Sequence, residues 1–325
     1  MIIVTGGAGF IGSALIAELN RRQISDILVV DELGADQKWK NLRNLSFADY
    51  VEKGDFLEMV IEDKLDGPVD VVFHLGACSD TTETNASYLV KNNYEFSKLL
   101  AQWATDSDIR FIYASSAATY GDGSAGFSDE EEKMDVLRPL NIYGYSKHLF
   151  DMWARRAGLL SKIVGLKYFN VFGPNEYHKG DMMSFVVKAF EQIKTTGKVR
   201  LFKSYRPEYA DGEQVRDFLY VKDAVNMTLF FFDNPYINGI FNIGSGETRT
   251  WNDLVIAVFV GMGGKPNIEY IEMPASIRSQ YQYFTQADLS KLRKAGYSKQ
   301  TTPLEDAIRD YIQNYLEKDL YLTGT

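Results

Sequence analysis

Cysteine and histidine are scarce in this sequence. Its 325 residues include one cysteine, Cys78, and three histidines. One cysteine can form neither an internal disulfide nor a zinc site with two or more thiolates, and three histidines offer few other ligands. A chain without disulfides suits a reducing compartment. We therefore expect no metal site and a cytoplasmic location.

Long apolar runs and a surplus of positive charge are missing as well. The longest apolar segments, such as Leu254–Val260, are far shorter than the roughly 20 residues that cross a bilayer. The residues before the first glycine lack the basic segment and the cleavage site of a signal peptide. With 35 basic and 44 acidic residues, the formal charge is −9, which gives no global attraction to nucleic acid or anionic membranes. We expect neither nucleic acid nor a membrane as a partner, so any phosphate has to be bound by a local group of residues.

Over the first 170 residues, short apolar strands alternate with amphipathic helices. The helices show apolar residues at helical spacing, and the strands end in glycine, serine or acidic residues. This order predicts a Rossmann-type α/β fold, a doubly wound parallel sheet with helices on both faces. The predicted strands are Ile2–Thr5, Ile27–Val30, Val69–His74, Phe111–Ala114 and Ile163–Phe169, and the predicted helices are Ile11–Arg22, Asn85–Asp106 and Tyr143–Ala157.

After residue 170 the pattern is less regular. We predict a smaller α/β substrate-binding lobe over residues 171–325, beside a dinucleotide-binding domain at 1–170, and we expect segments such as 215–245 to return to that domain. Residues 204–215 are polar and rich in turn formers, which indicates a surface loop. The helices predicted here are Asp181–Thr196, Asp223–Phe232, Trp251–Val260 and Leu304–Leu316, and the strands are Phe218–Val221 and Ile240–Ile243.

A glycine-rich turn joins the first predicted strand to the first predicted helix. Gly6, Gly9 and Gly12 have the spacing of dinucleotide-binding loops. In such loops the first glycine permits a tight turn, the second lets the backbone approach a pyrophosphate, and the third lets helix and strand pack closely. Free N–H groups at the start of the helix attract the anion. The turn therefore predicts a bound dinucleotide.

The residues after the second strand leave the choice of dinucleotide open. Asp31 ends this strand, where a carboxylate accepts hydrogen bonds from an adenosine ribose, which favours NAD. Glu32 follows and faces the same region. Lys38 and Lys53 could instead pair with a 2′-phosphate, which favours NADP. Charge alone does not decide between the two cofactors.

Ser116, Tyr143 and Lys147 form a candidate catalytic group. Tyr143 and Lys147 are four residues apart and share one face of a predicted helix, while Ser116 follows a predicted strand. A tyrosine with an ordinary pKa of about 10 is a weak base at neutral pH. We expect the ammonium of Lys147 to lower the pKa of Tyr143, and Ser116 to hydrogen-bond the same substrate oxygen. Such a group suits the removal of a proton from an alcohol while a nicotinamide takes the hydride.

Several motifs resemble a known family. TGGAGFIG, SSAATYG and YGYSK resemble the extended short-chain dehydrogenase/reductase superfamily, and GACSDTTE, HKG and FTQADL resemble its ADP-L-glycero-D-manno-heptose 6-epimerases. The resemblance extends from residue 1 to about residue 289. It implies an isomerase with tightly bound NADP, NAD being the less favoured alternative. Such an enzyme oxidises C6 of ADP-D-glycero-D-manno-heptose to a ketone and returns the hydride to the opposite face. The resemblance also implies a role in the synthesis of the lipopolysaccharide inner core and a homo-oligomer, a ring of five copies.

Matched residue by residue, the resemblance implies roles for further positions. Lys179, in the His178-Lys179-Gly180 motif, matches the second acid/base of the family and a substrate contact. The resemblance supports Asp31, Lys38 and Lys53 and adds further cofactor residues, which are Phe10, Ile11, Leu75, Gly76, Ala77, Cys78, Ser79, Asn92, Lys147 and Val171. The implied substrate residues are Asn170, Phe202, Arg216 and Tyr281. Arg216 suits a pyrophosphate, unless it pairs with Asp217.

Two other interpretations stay open. Another nucleotide-sugar epimerase of this fold would share the catalytic group. The chain also departs from the family pattern at Leu75, Asp181 and Lys188, where the family carries glutamate, serine and histidine. A 4,6-dehydratase would need an acid pair directly after the serine, where this chain has Ala117-Ala118. A dinucleotide-sensing protein without turnover is the more remote alternative, but such proteins often lose the tyrosine or the lysine.

Overall fold

Short apolar and β-branched segments form the strands of the structure, a computed structural model that describes residues 1–278 and 281–325. In chain order they are β1 (Ile2–Thr5), β2 (Ile27–Asp31), β3 (Asp49–Glu52), β4 (Val71–His74), β5 (Arg110–Ser116), β6 (Val164–Tyr168), β7 (Asn170–Phe172), β8 (Val199–Phe202), β9 (Val215–Arg216), β10 (Phe218–Tyr220), β11 (Gly239–Ile243), β12 (Arg249–Thr250) and β13 (Ile268–Ile271).

The helices alternate with these strands along the chain. They are α1 (Phe10–Arg21), α2 (Lys53–Ile61), α3 (Ala86–Leu89), α4 (Phe96–Asp106), α5 (Ile142–Arg156), α6 (Phe185–Thr196), α7 (Val221–Asp233), α8 (Trp251–Gly261), α9 (Ala275–Arg278), α10 (Ser290–Lys294) and α11 (Leu304–Asn314). A π-helical turn, Val90–Glu95, joins α3 to α4, so the helix predicted over Asn85–Asp106 exists with a widened turn inside it.

Seven strands form one parallel sheet in the order β11-β6-β5-β4-β1-β2-β3. The strand order reverses at β1, which lies between β2 on one side and β4 on the other. Ligands of open α/β sheets bind at the carboxyl ends of the strands beside such a switch point. The sheet confirms the predicted Rossmann-type α/β fold. Its edge strand β11 comes from the second half of the chain.

Helices cover both faces of the sheet. Successive side chains of a strand point to opposite faces, and β1 shows the result. Ile2 and Val4 join α1 and α7 in one apolar core, while Ile3 joins α2, α4 and α5 in the other. Because both faces are covered, the strands at the centre of the sheet are apolar throughout, which is the pattern that made them recognisable.

The second half of the chain adds shorter strand pairs and more helices. β8 pairs with β13 and β7 with β10, both parallel, and β9 pairs with β12 in antiparallel orientation. α8 packs against α6 and α11, and their apolar residues extend the core formed by α1 and α7. The sequence analysis predicted these helices and missed β8 and β13. Arg200 and Glu269 interrupt the two strands with exposed charges that form an ion pair, so no apolar run marks them.

One predicted helix begins later than expected. The sequence predicted a helix over Asp181–Thr196, but α6 begins at Phe185. Gly180 has a φ of 52°, a value that favours glycine, and Ser184 has an extended backbone. The helical conformation therefore cannot run through these two residues, and α6 begins only after Ser184. Residues Tyr177–Met182 form a short 3₁₀ helix instead.

Within residues 1–278 and 281–325, no helix is both long and apolar enough to span a membrane. In the same ranges, no group of three or more His, Cys, Asp or Glu side chains is arranged so that it could hold a metal ion.

Candidate active site

The glycine turn after β1 lies against the end of β4. Gly6 has a φ of +68°, and a Cβ on it would lie 2.6 Å from the Cα of Gly76. A Cβ on Gly12 would lie 2.1 Å from the carbonyl oxygen of Gly6, so α1 can approach the turn only through a glycine. α1 begins after Gly9, and no side chain caps its first N–H groups. These uncapped donors beside the switch point fit the phosphates of a dinucleotide.

Asp31 is fixed at the end of β2 by three donors. Its Oδ2 accepts a hydrogen bond from the N–H of Ala8, in the glycine turn, at 2.8 Å. Its Oδ1 accepts the N–H of Glu32 at 2.7 Å and the ammonium of Lys38 at 2.9 Å. The ion pair is largely shielded from solvent. One lysine therefore balances the charge of Asp31 at the place where the sequence predicts the ribose of the dinucleotide.

Two cavities lie at the carboxyl edge of the sheet, and a third lies beside them. The central cavity, of about 770 Å³, lies between the glycine turn, the end of β5 and the start of α6. The β2 cavity, of about 260 Å³, extends past Asp31 to Lys53 and Asn92. The β8 cavity, of about 560 Å³, lies between α6, β8 and β13. Asp31 lines both the central and the β2 cavities, and Trp251 lines both the central and the β8 cavities, so the central cavity adjoins the other two.

The structure brings the predicted cofactor residues to two of these cavities. Glu32, Lys53 and Asn92 line the β2 cavity, where Lys53 donates a hydrogen bond to the Asn92 side chain. Burial lowers the pKa of Lys53, and the nearby Glu32 opposes that shift. The central cavity is lined by Gly6, Gly9, Phe10, Ile11, Gly12, Asp31, Lys38, Leu75, Gly76, Ala77, Cys78, Ser79, Lys147 and Val171.

All three members of the candidate catalytic group line the central cavity. Ser116 ends β5, and its hydroxyl oxygen accepts the N–H of Ala118 at 3.1 Å. α5 begins after Asn141, whose side chain caps the helix by accepting an N–H at 2.7 Å. Tyr143 therefore lies in the first turn of α5, and Lys147 lies one turn later on the same face. The positions of the start of α5 and the end of β5 therefore place all three side chains in the lining of the central cavity.

Lys147 does not lower the pKa of Tyr143, so that expectation was wrong. Burial raises the pKa of Tyr143, and a hydrogen bond with Ser116 opposes part of the rise. The Lys147 ammonium donates to the carbonyl oxygen of Ala114 at 2.8 Å, which directs it at the main chain of β5. Burial lowers the pKa of Lys147 to about 8, and the nearby Asp151 opposes that shift. In this arrangement the phenol of Tyr143 is neutral at neutral pH.

Lys179 reaches the central cavity from the second half of the chain, on the 3₁₀ helix Tyr177–Met182. Its ammonium lies 5.4 Å from the centre of the Phe10 ring, which follows the glycine turn. Burial lowers the pKa of Lys179, while the nearby Glu176 opposes that shift. A lysine with a lowered pKa exchanges its proton more readily near neutral pH. Tyr143 and Lys179 thus give the cavity two groups that can hold and release a proton.

Arg216 is a deeply buried cation. Its guanidinium donates to the carbonyl oxygen of Val215 at 2.9 Å and to that of Gln282. It also lies over the rings of Trp251 and Tyr281, 5.5 and 5.3 Å from their centres. Within residues 1–278 and 281–325, its partners are carbonyl oxygens and aromatic rings and include no carboxylate, an arrangement that suits an anionic ligand.

Asp217 is not the partner of Arg216. The Asp217 carboxylate accepts the backbone N–H groups of Ser245, Gly246 and Ala287 at 2.6, 2.9 and 2.9 Å. Across the described ranges, no carboxylate oxygen lies within 4.0 Å of the Arg216 guanidinium. The alternative of an internal ion pair at Arg216 is therefore excluded for these residues.

The other predicted substrate residues are divided between two cavities. Asn170 lines the central cavity, and Phe202 and Tyr281 line the β8 cavity. Arg216 is in the lining of none of these three cavities, and its guanidinium lies over the rings of Trp251 and Tyr281, which do line them. The structure therefore does not bring this predicted substrate residue to the cleft lining.

The three departures from the family pattern differ in their positions. Leu75 lines the central cavity, and its N–H donates to the carbonyl oxygen of Thr5 at 3.0 Å. Asp181 is exposed and outside the lining of all three cavities. Lys188 lines the central cavity, and its ammonium donates to the carbonyl oxygen of Asp181 at 2.8 Å. The change at Asp181 thus adds no negative charge to the wall of the cleft.

Sequence reasoning missed several residues of the cleft. Burial lowers the pKa of His178 to about 4, so this residue of the central cavity is neutral at neutral pH. The flanks of β8 add positive charge to the β8 cavity, and finding them would have required recognition of that strand. The missed lining residues include Asp80, Thr81, Met182, Met183, Phe185 and Trp251 in the central cavity, and Gln192, Thr196, Lys198 and Arg200 in the β8 cavity.

Comparison with known proteins agrees with this geometry. The chain matches the model of the NAD dependent epimerase/dehydratase family over residues 2–244. Two curated relatives bear the name ADP-L-glycero-D-manno-heptose-6-epimerase. The relative from Nitratidesulfovibrio vulgaris is 54% identical over 97% of this chain and 98% of its own length. The relative from Fusobacterium nucleatum is 46% identical over 99% of this chain and 100% of its own length.

A solved structure is similar over nearly the same span. It is the ADP-L-glycero-D-manno-heptose-6-epimerase of Helicobacter pylori, which has a TM-score of 0.82 and is 28% identical to this chain. The match covers 96% of this chain and 95% of that one. The likeness therefore includes the second half of the chain as well as the sheet.

Proposed function

The chain belongs to the NAD dependent epimerase/dehydratase family and, within it, to the ADP-L-glycero-D-manno-heptose-6-epimerases, and we propose that it inverts C6 of ADP-D-glycero-D-manno-heptose. It is an isomerase that uses a nicotinamide dinucleotide. The adjoining cavities support this proposal, since the β2 and central cavities fit a dinucleotide while the central and β8 cavities fit a nucleotide sugar. The two ligands would meet in the central cavity, beside Tyr143 and Lys179.

We propose NADP as the dinucleotide. Lys38 balances the carboxylate of Asp31, and both Lys38 and Lys53 line the β2 cavity. Glu32 and Asp36 oppose them with negative charge. Lys53, which bonds the Asn92 side chain, is the cation proposed to meet a 2′-phosphate, and Lys38 is proposed to join it from its ion pair with Asp31. When bound, the nicotinamide supplies hydride acceptance and hydride return, so the overall reaction needs no external oxidant.

The residues of the chain have to move a proton at O6 of the sugar. Tyr143 is proposed to exchange a proton with this oxygen, and Ser116 to hold the oxygen in place through its hydroxyl. Burial favours the neutral phenol, which suits Tyr143 to donation toward the oxygen of a ketone. Lys147 lies one turn away and fixes this part of α5 against β5 through its bond to Ala114.

Inversion needs a second proton-handling group. A ketone has two faces, and a hydride that leaves one face and returns to the other requires the sugar to turn between the two steps. The oxygen then lies near a different side chain. Lys179 is proposed for this role because it faces the same cavity from the other lobe and because burial lowers its pKa.

The observation that carries the proposal is that Tyr143 and Lys179, from distant segments of the chain, line one cavity beside the glycine turn. The test is proton NMR of the purified protein with ADP-D-glycero-D-manno-heptose and no added cofactor. We expect the C6-inverted sugar to appear, since the nucleotide is recycled and stays bound. Absence of inversion, also after separate additions of NADP and NAD, would refute the substrate assignment.

Other consequences of the resemblance stay predictions. They are a cytoplasmic location, assembly into a ring of five copies and a role in the synthesis of the lipopolysaccharide inner core.

A further inference from the structure

Residues 320–323 pack on the loop that follows β7. The Leu322 N–H donates to Oδ1 of Asn175 at 2.9 Å, and both residues are buried. The Tyr177 hydroxyl donates to the carbonyl oxygen of Leu320 at 3.1 Å. Two hydrogen bonds therefore tie the 320–323 segment to a loop that lies far earlier in the chain.

Aromatic and basic side chains hold the same segment along its length. The Tyr321 ring meets the Tyr177 ring edge-on, with 5.0 Å between their centres. The Arg43 guanidinium lies 4.8 Å from the centre of the Tyr321 ring. Arg21, on α1, donates to the carbonyl oxygen of Thr323 at 3.0 Å. The segment is thus fixed between α1 and the loop after β7, and it is not attached at one point alone.

Asn175 joins the 320–323 segment to the dinucleotide end of the cleft. Its Nδ2 donates to Ser13 Oγ on α1 at 2.9 Å, and the Ser13 hydroxyl donates to the carbonyl oxygen of Phe10 at 3.1 Å. Asn41 donates to the carbonyl oxygens of Asn175 and Ala8 at 3.0 and 2.9 Å. Ala8 lies in the glycine turn, and Phe10 begins the helix after it. Asn175 is therefore connected to the glycine turn by two routes.

The conformation of Asn175 also sets the start of the 3₁₀ helix that carries Lys179. Asn175 has a φ of +78°, in the left-handed region that asparagine enters more readily than most other residues. The next residue is the fully buried Glu176, whose carboxylate accepts the Tyr311 hydroxyl at 3.2 Å. The Lys179 N–H bonds the carbonyl oxygen of Glu176 at 3.0 Å. The position of Lys179 therefore follows from the turn at Asn175.

We propose that Asn175, held by the 320–323 segment, is a positioning residue that directs the Lys179 ammonium into the central cavity. The inference rests on the proposed function of Lys179 as the second proton-handling group. Asn175 and Tyr177 lie outside the lining of the three cavities, whereas Lys179 lines the central one, so Asn175 acts through Lys179. A satisfied polar network inside a protein fixes the groups that it joins. A displacement of about 1 Å in a reacting group can cost roughly 100-fold in rate.

The variant Asn175→Gly tests this role. Glycine adopts a positive φ without strain, so the variant removes the two side-chain hydrogen bonds and keeps the turn. We expect kcat for inversion to fall roughly three- to tenfold, a loss of the size that one hydrogen bond accounts for, with KM for the nucleotide sugar unchanged. The matched control is Asp63→Gly, since the exposed Asp63 has a φ of +52° and lies outside the lining of the three cavities. Its kcat is expected to stay at the wild-type value.

The pH profile of kcat separates positioning from a general loss of structure. The limb of the wild-type profile that disappears in Lys179→Met reports the ionisation of Lys179. Burial lowers the pKa of Lys179, so a looser and more hydrated ammonium in Asn175→Gly should move this limb to higher pH, by about half a unit or more. A purely structural defect would lower kcat equally at every pH and leave the limb in place.

Hydrogen exchange gives a second readout that does not depend on activity. Asn175→Gly leaves the Leu322 N–H without its acceptor and frees the turn before Lys179. Exchange measured by mass spectrometry should therefore become at least about threefold faster in the peptides 320–325 and 177–182, and Asp63→Gly should leave both unchanged.

Tyr177→Phe repeats both measurements with less risk to folding. It removes only the hydroxyl that bonds Leu320 and keeps the ring beside Tyr321. We expect a fall in kcat of about two- to fivefold and faster exchange in the peptide 177–182. Tyr236→Phe is the matched control, because Tyr236 is 94% exposed.

The two readouts separate this inference from the proposed function. A wild-type protein without epimerase activity would refute the proposed function, and the exchange rates alone would then decide whether the 320–323 segment holds the 3₁₀ helix. Unchanged exchange of the peptide 177–182 in Asn175→Gly and Tyr177→Phe would overturn that link. An active wild type whose pH limb does not move in Asn175→Gly would overturn the positioning of Lys179.

Discussion

The Lys38 ammonium and the Asp31 carboxylate form an ion pair of 2.9 Å at the end of β2, within the lining of both the central and the β2 cavities. In the sequence, Asp31 favours NAD as the cofactor and Lys38 favours NADP. In the structure they form one neutral unit, because the lysine that favours NADP balances the acid that favours NAD. Asp31 therefore does not exclude NADP, and the cofactor preference can be tested at Lys38.

Lys38→Met is expected to weaken the binding of NADP about 10-fold or more and to change the binding of NAD much less. A charge-assisted hydrogen bond contributes about 1.5–3 kcal/mol, and only NADP has the 2′-phosphate that would form it. Titration calorimetry with each dinucleotide measures both constants. The control is Lys40→Met, since Lys40 lies with Lys38 on the 3₁₀ helix Lys38–Asn41 and its ammonium bonds the Gln37 side chain. Equal losses for NADP and NAD at Lys38 would contradict the assignment.

Tyr143→Phe is expected to reduce turnover by at least about 100-fold, the lower range of acid–base catalysis, with the dinucleotide still bound. The substitution removes one hydroxyl from the central cavity and keeps the ring. NMR of the C6 signal and absorbance of the bound nucleotide measure the two properties. Tyr145→Phe is the control, because this tyrosine, two residues along α5, is half exposed to solvent. Wild-type turnover in Tyr143→Phe would remove Tyr143 from the mechanism.

Lys179→Met is expected to lower kcat for inversion by about 100-fold with little change in KM, because the second proton-handling group is lost. Lys194→Met serves as the control, since Lys194 lies on α6 over the Phe190 ring and away from the cavities. A rise in KM with an unchanged kcat would show that Lys179 only binds the substrate.

Stability should fall below pH 6.5 because of His74. Burial lowers the pKa of His74 from 6.5 to about 3. Between these two pH values His74 is protonated in the unfolded chain and neutral in the folded protein. The contribution of His74 to the free energy of unfolding is fully present above pH 6.5. It is lost as the pH falls below 6.5, by up to about 1.4 kcal/mol per pH unit. Between pH 7 and pH 5, urea unfolding of the wild type should therefore lose about 2 kcal/mol more than that of His74→Gln. An identical pH dependence of the two proteins would contradict the assignment.

Lys167→Met is expected to destabilise the protein by about 3–5 kcal/mol, because it leaves a buried carboxylate without its counterion. The Lys167 ammonium lies 2.6 Å from Asp151, and both side chains are almost completely buried. The double variant Lys167→Met/Asp151→Asn removes both charges and should recover part of the loss. Urea unfolding of the three proteins measures the difference. A double variant less stable than Lys167→Met would contradict this account.

Much of the fold and of the cofactor side of the cleft could be predicted from the sequence. The central strands are apolar because both faces are covered, and the residues at their carboxyl ends meet at one edge. Gly6, Asp31 and Ser116 are therefore found near each other although they are far apart in the chain. The strand and turn patterns that mark each of these residues are local, and local patterns are what a sequence displays.

The features that could not be predicted depend on contacts between distant segments. The direction of the Lys147 ammonium is set by the carbonyl oxygen of Ala114 on β5, which no helical spacing reveals. β8 alternates an exposed arginine with buried residues and has too few residues for a clear signal. The widened turn that contains Asn93 has a helical sequence, and its partners are a loop residue and a residue of α5.

The position of β11 also has a consequence for biosynthesis. The edge strand beside β6 is translated about 75 residues after β6 itself, and at 5–20 residues per second the ribosome needs roughly 4–15 s to deliver it. During that interval β6 is an unpaired apolar edge on the nascent chain, and such edges pair readily with other chains. An aggregation-prone stage of producing this protein should therefore come after Ser116, Tyr143 and Lys147 have been translated, while the sheet still lacks its last strand.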